Sequence, residues 1–187
     1  MSTPMSQPAA AAQPDEPEYP PEWGEAHTKT ATWFWPEELR RTLAGSDGLE
    51  LLRGMADGRY PPPPILSLFP VRFLAVERGE VAFVCVPDRS FLNPGGQIHG
   101  GFLSTLMDTA IGCAVMTESE TRTWYATIEL KVSFFRPLPM DGREVEVRGR
   151  TQRVGRKVAF AEAHAHDEKG VLMGHATSSL AAVVAGA

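Results

Sequence analysis

The sequence lacks most features that mark secreted, membrane-embedded and redox proteins. Its 187 residues include only two cysteines, Cys85 and Cys113, and these follow no metal-ligand or redox spacing. No apolar run approaches the roughly 20 residues that a membrane-spanning helix needs. The N-terminus also has no cationic segment followed by an apolar stretch, the pattern of a secretory signal. These absences predict a reduced chain in the cytoplasm.

An excess of positive charge is missing as well. The chain has 18 Lys and Arg against 23 Asp and Glu, which gives a formal net charge of −5. A surface of this sign disfavours broad binding to nucleic acids or anionic membranes, so we expect neither as a partner. The length and the 43% hydrophobic content are typical of one globular domain with an extension.

The first 22 residues have little to bury. They contain six of the sixteen prolines, a run of four alanines and several acidic side chains. Such a segment cannot offset the entropy cost of becoming ordered. We therefore predict that residues 1–22 form a disordered tail.

Two helices are predicted in the extension that follows, residues 23–60. Pro36 suits the first turn of one helix. Asp47 and Glu50 have the spacing of a capping box for the second helix, which Gly58 would end. We expect this pair to pack on the main domain as a lid or brace.

Residues 61–187 combine one helical pattern with several strand patterns. Ser67 to Glu77 and Glu80 to Val86 are predicted to be strands. Four apolar doublets then recur at a spacing of four residues between His99 and Thr117, which predicts an amphipathic helix about 27 Å long. The doublets are Phe102/Leu103, Leu106/Met107, Ala110/Ile111 and Ala114/Val115.

Further strands are predicted after this helix. They cover residues 123–135, 143–153, 157–166 and 171–184, and their short links at Met140–Gly142, Gly155 and Asp167–Gly170 are predicted to be hairpin turns. One face of such an antiparallel sheet must be covered, and the long helix is large enough to do so. The fold class is therefore α+β, a curved antiparallel sheet wrapped around one long central helix.

The stretch from Asn93 to Asp108 is the most informative for function. Gly100 and Gly101 open the helix, where unpaired N–H groups at the positive end of the dipole would stabilise an oxygen that becomes anionic. The same glycines would also serve a tight entry into the helix. Asp108 lies two turns further, at the edge of the apolar stripe. It is either a nucleophile or general base, or a solvated edge residue.

Other polar residues allow similar pairs of interpretations. His99 would orient the loop or contact a substrate carbonyl, and it is not favourably cationic beside the helix N-terminus. Asn93 would either bind a substrate or make a local turn. Arg156 and Lys157, beside a hairpin glycine, would grip phosphates or form a solvated turn.

The sequence predicts no metal site. The remaining histidines are predicted to form no cluster, since His164 and His166 alternate on a strand while His27 and His175 are isolated. A serine-hydrolase elbow and a phosphate-binding loop are also missing, which disfavours those enzyme classes.

Taken together, these stretches resemble hotdog-fold thioesterases of the PaaI-like, phenylacetyl-CoA thioesterase type. The resemblance is carried by Asn93 through His99-Gly100-Gly101 to Asp108, by residues 127–137 and by the Gly155-Arg156-Lys157 turn. It covers about residues 61–184. It implies the hotdog fold, hydrolysis of acyl-CoA thioesters and no cofactor, because CoA is part of the substrate. It also implies a homodimer, and often a tetramer.

The resemblance also implies roles for individual residues. Asp108 is the catalytic carboxylate, acting as nucleophile or as base toward water, and Gly100 supplies an N–H group to the oxyanion hole. Asn93 positions substrate or water, and His99 lines the same site. Thr127 falls near the thioester or the lytic water, contributed from the neighbouring subunit. Contacts to CoA are implied for Gly101, Arg156 and Lys157.

Two other functions compete with hydrolysis. A hotdog hydratase would need a paired Asp and His, and the loop here lacks the Gly-Asp-x-Asn-Pro-x-His pattern of that group. A non-catalytic acyl-CoA-binding sensor would use the same groove without turnover. The bulky pair Trp124 and Tyr125 would either shape an acyl pocket or pack the core.

Overall fold

The computed structural model describes residues 19–37, 47–119 and 123–184. By its internal contacts the chain divides after Thr30 into two compact units. In the first unit a short 3-10 helix spans Pro21–Trp23, and the rings of Tyr19 and Trp23 lie 6.0 Å apart. Most of the predicted tail, residues 1–22, falls outside the described residues, so its disorder and the predicted domain boundaries stay predictions.

Helix α1, Gly48–Ala56, is the second helix predicted in the extension. Its cap is confirmed, because Asp47 Oδ1 accepts a hydrogen bond from the Glu50 N–H at 2.8 Å. Gly58 follows the helix with a φ of 79°, a conformation that favours glycine. The helix predicted to begin at Pro36 lies mostly outside the described residues.

Six strands form one antiparallel sheet with the order β1-β2-β4-β5-β6-β3. The strands are β1 (Val71–Glu77), β2 (Glu80–Cys85), β3 (Thr123–Phe134), β4 (Val145–Val154), β5 (Val158–Asp167) and β6 (Leu172–Val184). Strand β3 lies at one edge of the sheet, next to β6. The hairpin turns predicted at Gly155 and Asp167–Gly170 are confirmed, since they join neighbouring strands.

Two local predictions are wrong. The first strand was expected from Ser67, but a 3-10 helix spans Pro64–Leu68 and the Ser67 hydroxyl donates to the Pro64 carbonyl at 2.7 Å. The preceding prolines fix φ and favour this tight turn. Met140–Gly142 is no hairpin turn, because it connects β3 to β4 and these strands are not neighbours. A glycine turn signal does not show which strands it joins.

Helix α2, Gly100–Met116, packs against the sheet as predicted. All eight residues of the four apolar doublets are buried. The approach to β4 is close, because a Cβ on Gly149 would lie 2.2 Å from the Ala110 carbonyl oxygen. On β5, alternate alanines face the helix, namely Ala159, Ala161, Ala163 and Ala165. A curved antiparallel sheet around one long helix is thus confirmed.

Neither α1 nor α2 is long and apolar enough to span a membrane, and the same holds for the other described helical turns.

Candidate functional site

The N-terminus of α2 is capped by His99. Its Nδ1 accepts a hydrogen bond from the Gly101 N–H at 2.8 Å, and its carbonyl accepts one from Phe102 at 3.0 Å. An accepting Nδ1 carries no proton, so Nε2 is the nitrogen that can donate outward. This contact supports the loop-orienting interpretation of His99, which stays a prediction.

The cap leaves one backbone donor free. Among the described residues, no hydrogen-bond acceptor is found for the Gly100 N–H, whereas His99 occupies that of Gly101. The Gly101 N–H is thus already bonded within the chain, and a contact between Gly101 and CoA stays a prediction. The ring of Phe134 lies above Gly100, and a Cβ there would be 3.1 Å from Phe134 Cζ. A side chain at this position would press on that ring and crowd the donor.

Two cavities flank this helix end. One has a volume of about 420 Å³ and combines aromatic rings with one cation. The other has about 300 Å³ and includes three phenylalanine rings. The first is lined by Gln97, Ile98, His99, Gly100, Leu103, Phe134, Phe135, Arg136, Pro137 and Leu138. The second is lined by Phe69, Ser90, Phe91, Leu92, His99, Gly101, Phe102 and Thr105. His99 is common to both cavities.

Asn93 shapes the loop before the helix. Its Oδ1 accepts hydrogen bonds from the backbone N–H groups of Gly95 at 2.8 Å and Gln97 at 3.2 Å. The Asn93 N–H also donates to the Gln97 carbonyl at 2.7 Å. The structure thus shows the local turn, one of the two interpretations that the sequence left open.

Asp108 and Thr127 meet on the side of α2 that faces β3. The Thr127 hydroxyl donates to Asp108 Oδ1 at 2.8 Å, and the two residues belong to the same chain. Strand β3 has a bulge at Ile128, because Thr127 pairs with Leu180 whereas Glu129 pairs with Ser179. Bulges re-aim side chains, and this one lies directly beside the bonded threonine.

The Asp108 carboxylate is only partly buried. Oδ1 is held by Thr127, and no hydrogen-bond partner of Oδ2 is found in the described part of the chain. One oxygen is therefore anchored and the other is available to a substrate or a water molecule.

Gly100 and Asp108 do not converge within one chain. They are eight residues apart on the same helix, which corresponds to about 12 Å along its axis at 1.5 Å per residue. The structure thus brings Asp108 to Thr127 and His99 to Gly101, as two separate groups.

Cys113 lies on the same helix as Asp108. The thiol group of Cys113 is buried, although the residue as a whole is partly exposed. This burial, together with the negative charge of Asp108, raises the pKa of the thiol to about 12. A thiol with this pKa is protonated near neutral pH and is a poor nucleophile. Cys113 is therefore no candidate nucleophile in this arrangement.

Arg156 and Lys157 are exposed at the tip of the β4–β5 hairpin. The Lys157 carbonyl accepts from the Ala182 N–H at 2.9 Å, and Ala182 pairs with Tyr125 on β3. Thr127 lies two residues further along β3. The two cations thus occupy the same end of the sheet as Thr127, and no described contact joins them to Asp108.

Trp124 and Tyr125 have different surroundings. Tyr125 packs against the hydrophobic core. Trp124 lines a strongly apolar cavity of about 290 Å³. Its walls are Phe34, Trp35, Pro36, Met55, Pro61, Pro62, Pro63, Pro64 and Trp124.

One cluster contradicts the sequence prediction. His164 and His175 were expected to take part in no cluster, but they pair across β5 and β6, and Glu162 lies beside them. A register shift between Ala165 and His166 brings the two histidines opposite each other. Counting back from the hairpin turn without this bulge would misplace them by one residue and onto opposite faces. The sequence shows no signal for that bulge.

The sheet order and the single long helix define a hotdog-fold protein. Residues 95–173 match the family model described as "Thioesterase superfamily". The resemblance to PaaI-like hotdog thioesterases is confirmed by this match and by the similar solved structures.

Individual relatives agree with this placement. The chain is 35% identical over 79 residues to a protein of Pseudomonas aeruginosa named as a candidate esterase, a match that covers 42% of this chain and 58% of that protein's length. A crystal structure from Ralstonia eutropha, named as a candidate thioesterase related to phenylacetic acid degradation, is 27% identical with a TM-score of 0.62. It covers 69% of this chain and 97% of its own.

A third similar structure carries a ligand. It is a Streptococcus mutans protein bound to acetyl-CoA, 19% identical with a TM-score of 0.56, and the likeness covers 61% of this chain and 89% of that protein. At this identity the likeness shows the fold.

Proposed function

We propose that this protein hydrolyses acyl-CoA thioesters to the free acid and CoA. The observation that carries the proposal is the Asp108 carboxylate, which Thr127 anchors through one oxygen at 2.8 Å while the other oxygen stays available. A thioesterase needs such a carboxylate together with a donor for the carbonyl oxygen. The Gly100 N–H at the start of α2 supplies that donor.

The spacing of these two groups favours a site shared by two subunits. A reacting carbonyl must lie within about 3 Å of both the oxyanion donor and the attacking group. Gly100 and Asp108 of one chain are separated by about 12 Å along the helix. One carbonyl group is too small to contact both of them. A homodimer in which Gly100 of one subunit faces Asp108 and Thr127 of the other would bring the donor and the carboxylate to one carbonyl group. A tetramer would be two such dimers.

The edge strand suits this arrangement. Strand β3 has one neighbour, β6, and its exposed stretch around the bulge includes Ile128, which is 57% exposed. An unpaired strand edge with an exposed apolar residue is a ready surface for a second copy. That copy would cover the Asp108–Thr127 pair and exclude water from it.

Hydrolysis of the thioester then needs only the Asp108 carboxylate, the Gly100 N–H group and water. Asp108 either removes a proton from water, whose oxygen adds to the thioester carbon, or adds to that carbon itself and is later released by water. The carbonyl oxygen becomes anionic and accepts a hydrogen bond from Gly100. Collapse breaks the C–S bond and releases CoA thiolate, which takes up a proton. A thiol with a pKa near 8.5 leaves with little acid assistance.

CoA is the proposed leaving group for two reasons. The acetyl-CoA complex of the Streptococcus mutans protein shows that a protein of this fold binds the group. Arg156 and Lys157 are exposed cations at the end of the sheet that holds Thr127, where nucleotide phosphates would be bound. No cofactor is needed, because CoA arrives with the substrate. We propose the cytoplasm as the compartment, since CoA esters are made and used there.

The test is a substrate panel on the wild-type protein. Thiol release is measured for phenylacetyl-, isobutyryl- and hexanoyl-CoA, and p-nitrophenyl esters of the same acids serve as matched oxygen esters. Turnover of the CoA esters with at least about tenfold preference over the oxygen esters supports the proposal. Binding of CoA esters without thiol release indicates a sensor instead. Addition of water to crotonyl-CoA without thiol release indicates a hydratase. Either of these results overturns the proposal.

A further inference from the structure

A second group of potential ligands lies on the face of the sheet away from α2. Along β5 the alanines point to the helix, so Glu162 and His164, which alternate with them, point to the opposite face. His175 on β6 is the direct partner of His164. The three side chains therefore lie side by side on the outer face, separated by the sheet from the Asp108–Thr127 pair.

The donor atoms of these three residues are close together. One ligand atom from each of Glu162, His164 and His175 lies within 4.8 Å of the other two. His175 Nε2 and Glu162 Oε2 are 3.6 Å apart, and the two imidazole rings are centred 4.6 Å apart. Ligands around a tetrahedral zinc ion are roughly 3.4 Å apart, given bonds of about 2.0 to 2.2 Å. Small side-chain rotations close the difference.

The surroundings hold these ligands in place. Gln152 donates a hydrogen bond to Glu162 Oε2 at 2.9 Å, which orients the carboxylate. The side chains of Glu162 and His175 are only 28% and 31% exposed. Hydrogen bonds of this kind from neighbouring groups hold metal ligands in their binding orientation.

Two arginines near the cluster form ion pairs with other carboxylates. Arg148 and Arg150 lie opposite His164 and Glu162 in the register of β4 and β5. Both arginines form ion pairs with Glu80, and Arg148 also pairs with Glu146. Their charges are thus balanced within that network, and Glu162 is left to provide negative charge for a cation.

We propose that Glu162, His164 and His175 form a binding site for one Zn²⁺ ion per chain on the outer face of the sheet. Two imidazoles and one carboxylate are ligands that zinc prefers, and three protein ligands leave a fourth position for water or another ligand. The ion would connect β5 to β6. This inference is independent of the proposed hydrolysis, because the sheet separates the two sites.

Direct titration tests the zinc site. Untagged protein, freed of metal by chelation, is titrated with Zn²⁺ against a chromogenic competitor, and Co²⁺ is added in parallel as a spectroscopic probe. We expect one ion per chain and the intense visible absorption of four-coordinate Co²⁺. Absence of one-to-one binding, or a Co²⁺ spectrum of the hydrated ion only, overturns the proposal without any variant.

Variants assign the ligands. His175→Ala and Glu162→Gln should each weaken Zn²⁺ binding by at least about 100-fold, and Gln152→Ala by about tenfold. His166→Ala is the matched control, because His166 lies on the same strand face and is outside the cluster. It should bind Zn²⁺ like the wild type. Equal binding by His175→Ala and wild type, or equal loss in His166→Ala, contradicts the assignment. Circular dichroism verifies that each variant is folded.

Discussion

The two sides of helix α2 differ in what their side chains do. One side consists of the four apolar doublets, all of which are buried. The other side is partly exposed and carries hydroxyl, thiol and carboxylate groups. Its members are Ser104, Thr105, Asp108, Thr109, Gly112, Cys113 and Met116. One helix therefore combines a buried packing surface with a partly exposed polar surface.

The polar side chains of α2 differ in where their hydrogen-bond partners lie. The hydroxyls of Ser104, Thr105 and Thr109 each donate to the carbonyl four residues earlier, at 3.0, 2.9 and 2.8 Å. Such bonds satisfy a hydroxyl within its own helix. Asp108 differs because it is bonded by a residue of another element, Thr127. This difference supports the proposed role of Asp108.

The largest effect on stability is expected at the contact between α2 and strand β4. In Gly149→Ala the new Cβ would lie 2.2 Å from the Ala110 carbonyl oxygen, which is backbone and cannot move aside. We expect the free energy of unfolding to fall by about 3 kcal/mol or more, measured by urea denaturation. Soluble protein with wild-type stability would show that α2 does not pack this closely.

Removal of the Thr127 hydroxyl tests the bond to Asp108. Thr127→Val keeps the shape and leaves Oδ1 without its donor, so we expect kcat to fall about tenfold. Thr127→Ser keeps a hydroxyl and is the control, with activity close to wild type. The free energy of unfolding should change by less than about 0.5 kcal/mol in both, because neither substitution changes the side chain by more than one small group. A fully active Thr127→Val would remove Thr127 from the site.

A glycine on the open side of α2 should tolerate what Gly149 does not. A Cβ on Gly112 would meet nothing within 4 Å. Gly112→Ala should therefore raise the free energy of unfolding by about 0.5 to 1 kcal/mol through helix propensity. A loss of stability similar to that of Gly149→Ala would show that the two sides of the helix are equally enclosed.

The smallest effect concerns Cys113. Because burial and the charge of Asp108 raise its thiol pKa to about 12, roughly one molecule in ten thousand is thiolate at about pH 8. The folded protein should thus show no reaction with a disulfide reagent during a thiol-release assay, and both thiols should react after denaturation. Rapid labelling of Cys113 in the native state would contradict this pKa.

Local signals predicted the elements well. The doublets of α2 and the Asp47 cap of α1 are short-range patterns, and both appear in the structure. The strand predicted from Ser67 begins only at Val71, because the preceding prolines favour a 3-10 turn there. Met140–Gly142 was assigned to a hairpin because a turn signal carries no information about strand order, which depends on long-range contacts.

The candidate site likewise has a part that the sequence predicts and a part that only the structure shows. The two glycines that open α2 and Asp108 are visible as a motif in the sequence. The bond from Thr127 to Asp108 depends on the bulge at Ile128, and the pairing of His164 with His175 depends on another bulge. A one-residue shift reverses the face of every following side chain, so these contacts required the three-dimensional structure.

Thiol release by Asp108→Asn tests the central claim most directly. It is measured with the best acyl-CoA, beside binding of a non-hydrolysable thioether analogue and the free energy of unfolding. We predict a rate at least about 100-fold below wild type, with binding and stability nearly unchanged, because the amide keeps the shape and loses the charge. A rate within about threefold of wild type would show that Asp108 does not carry the reaction.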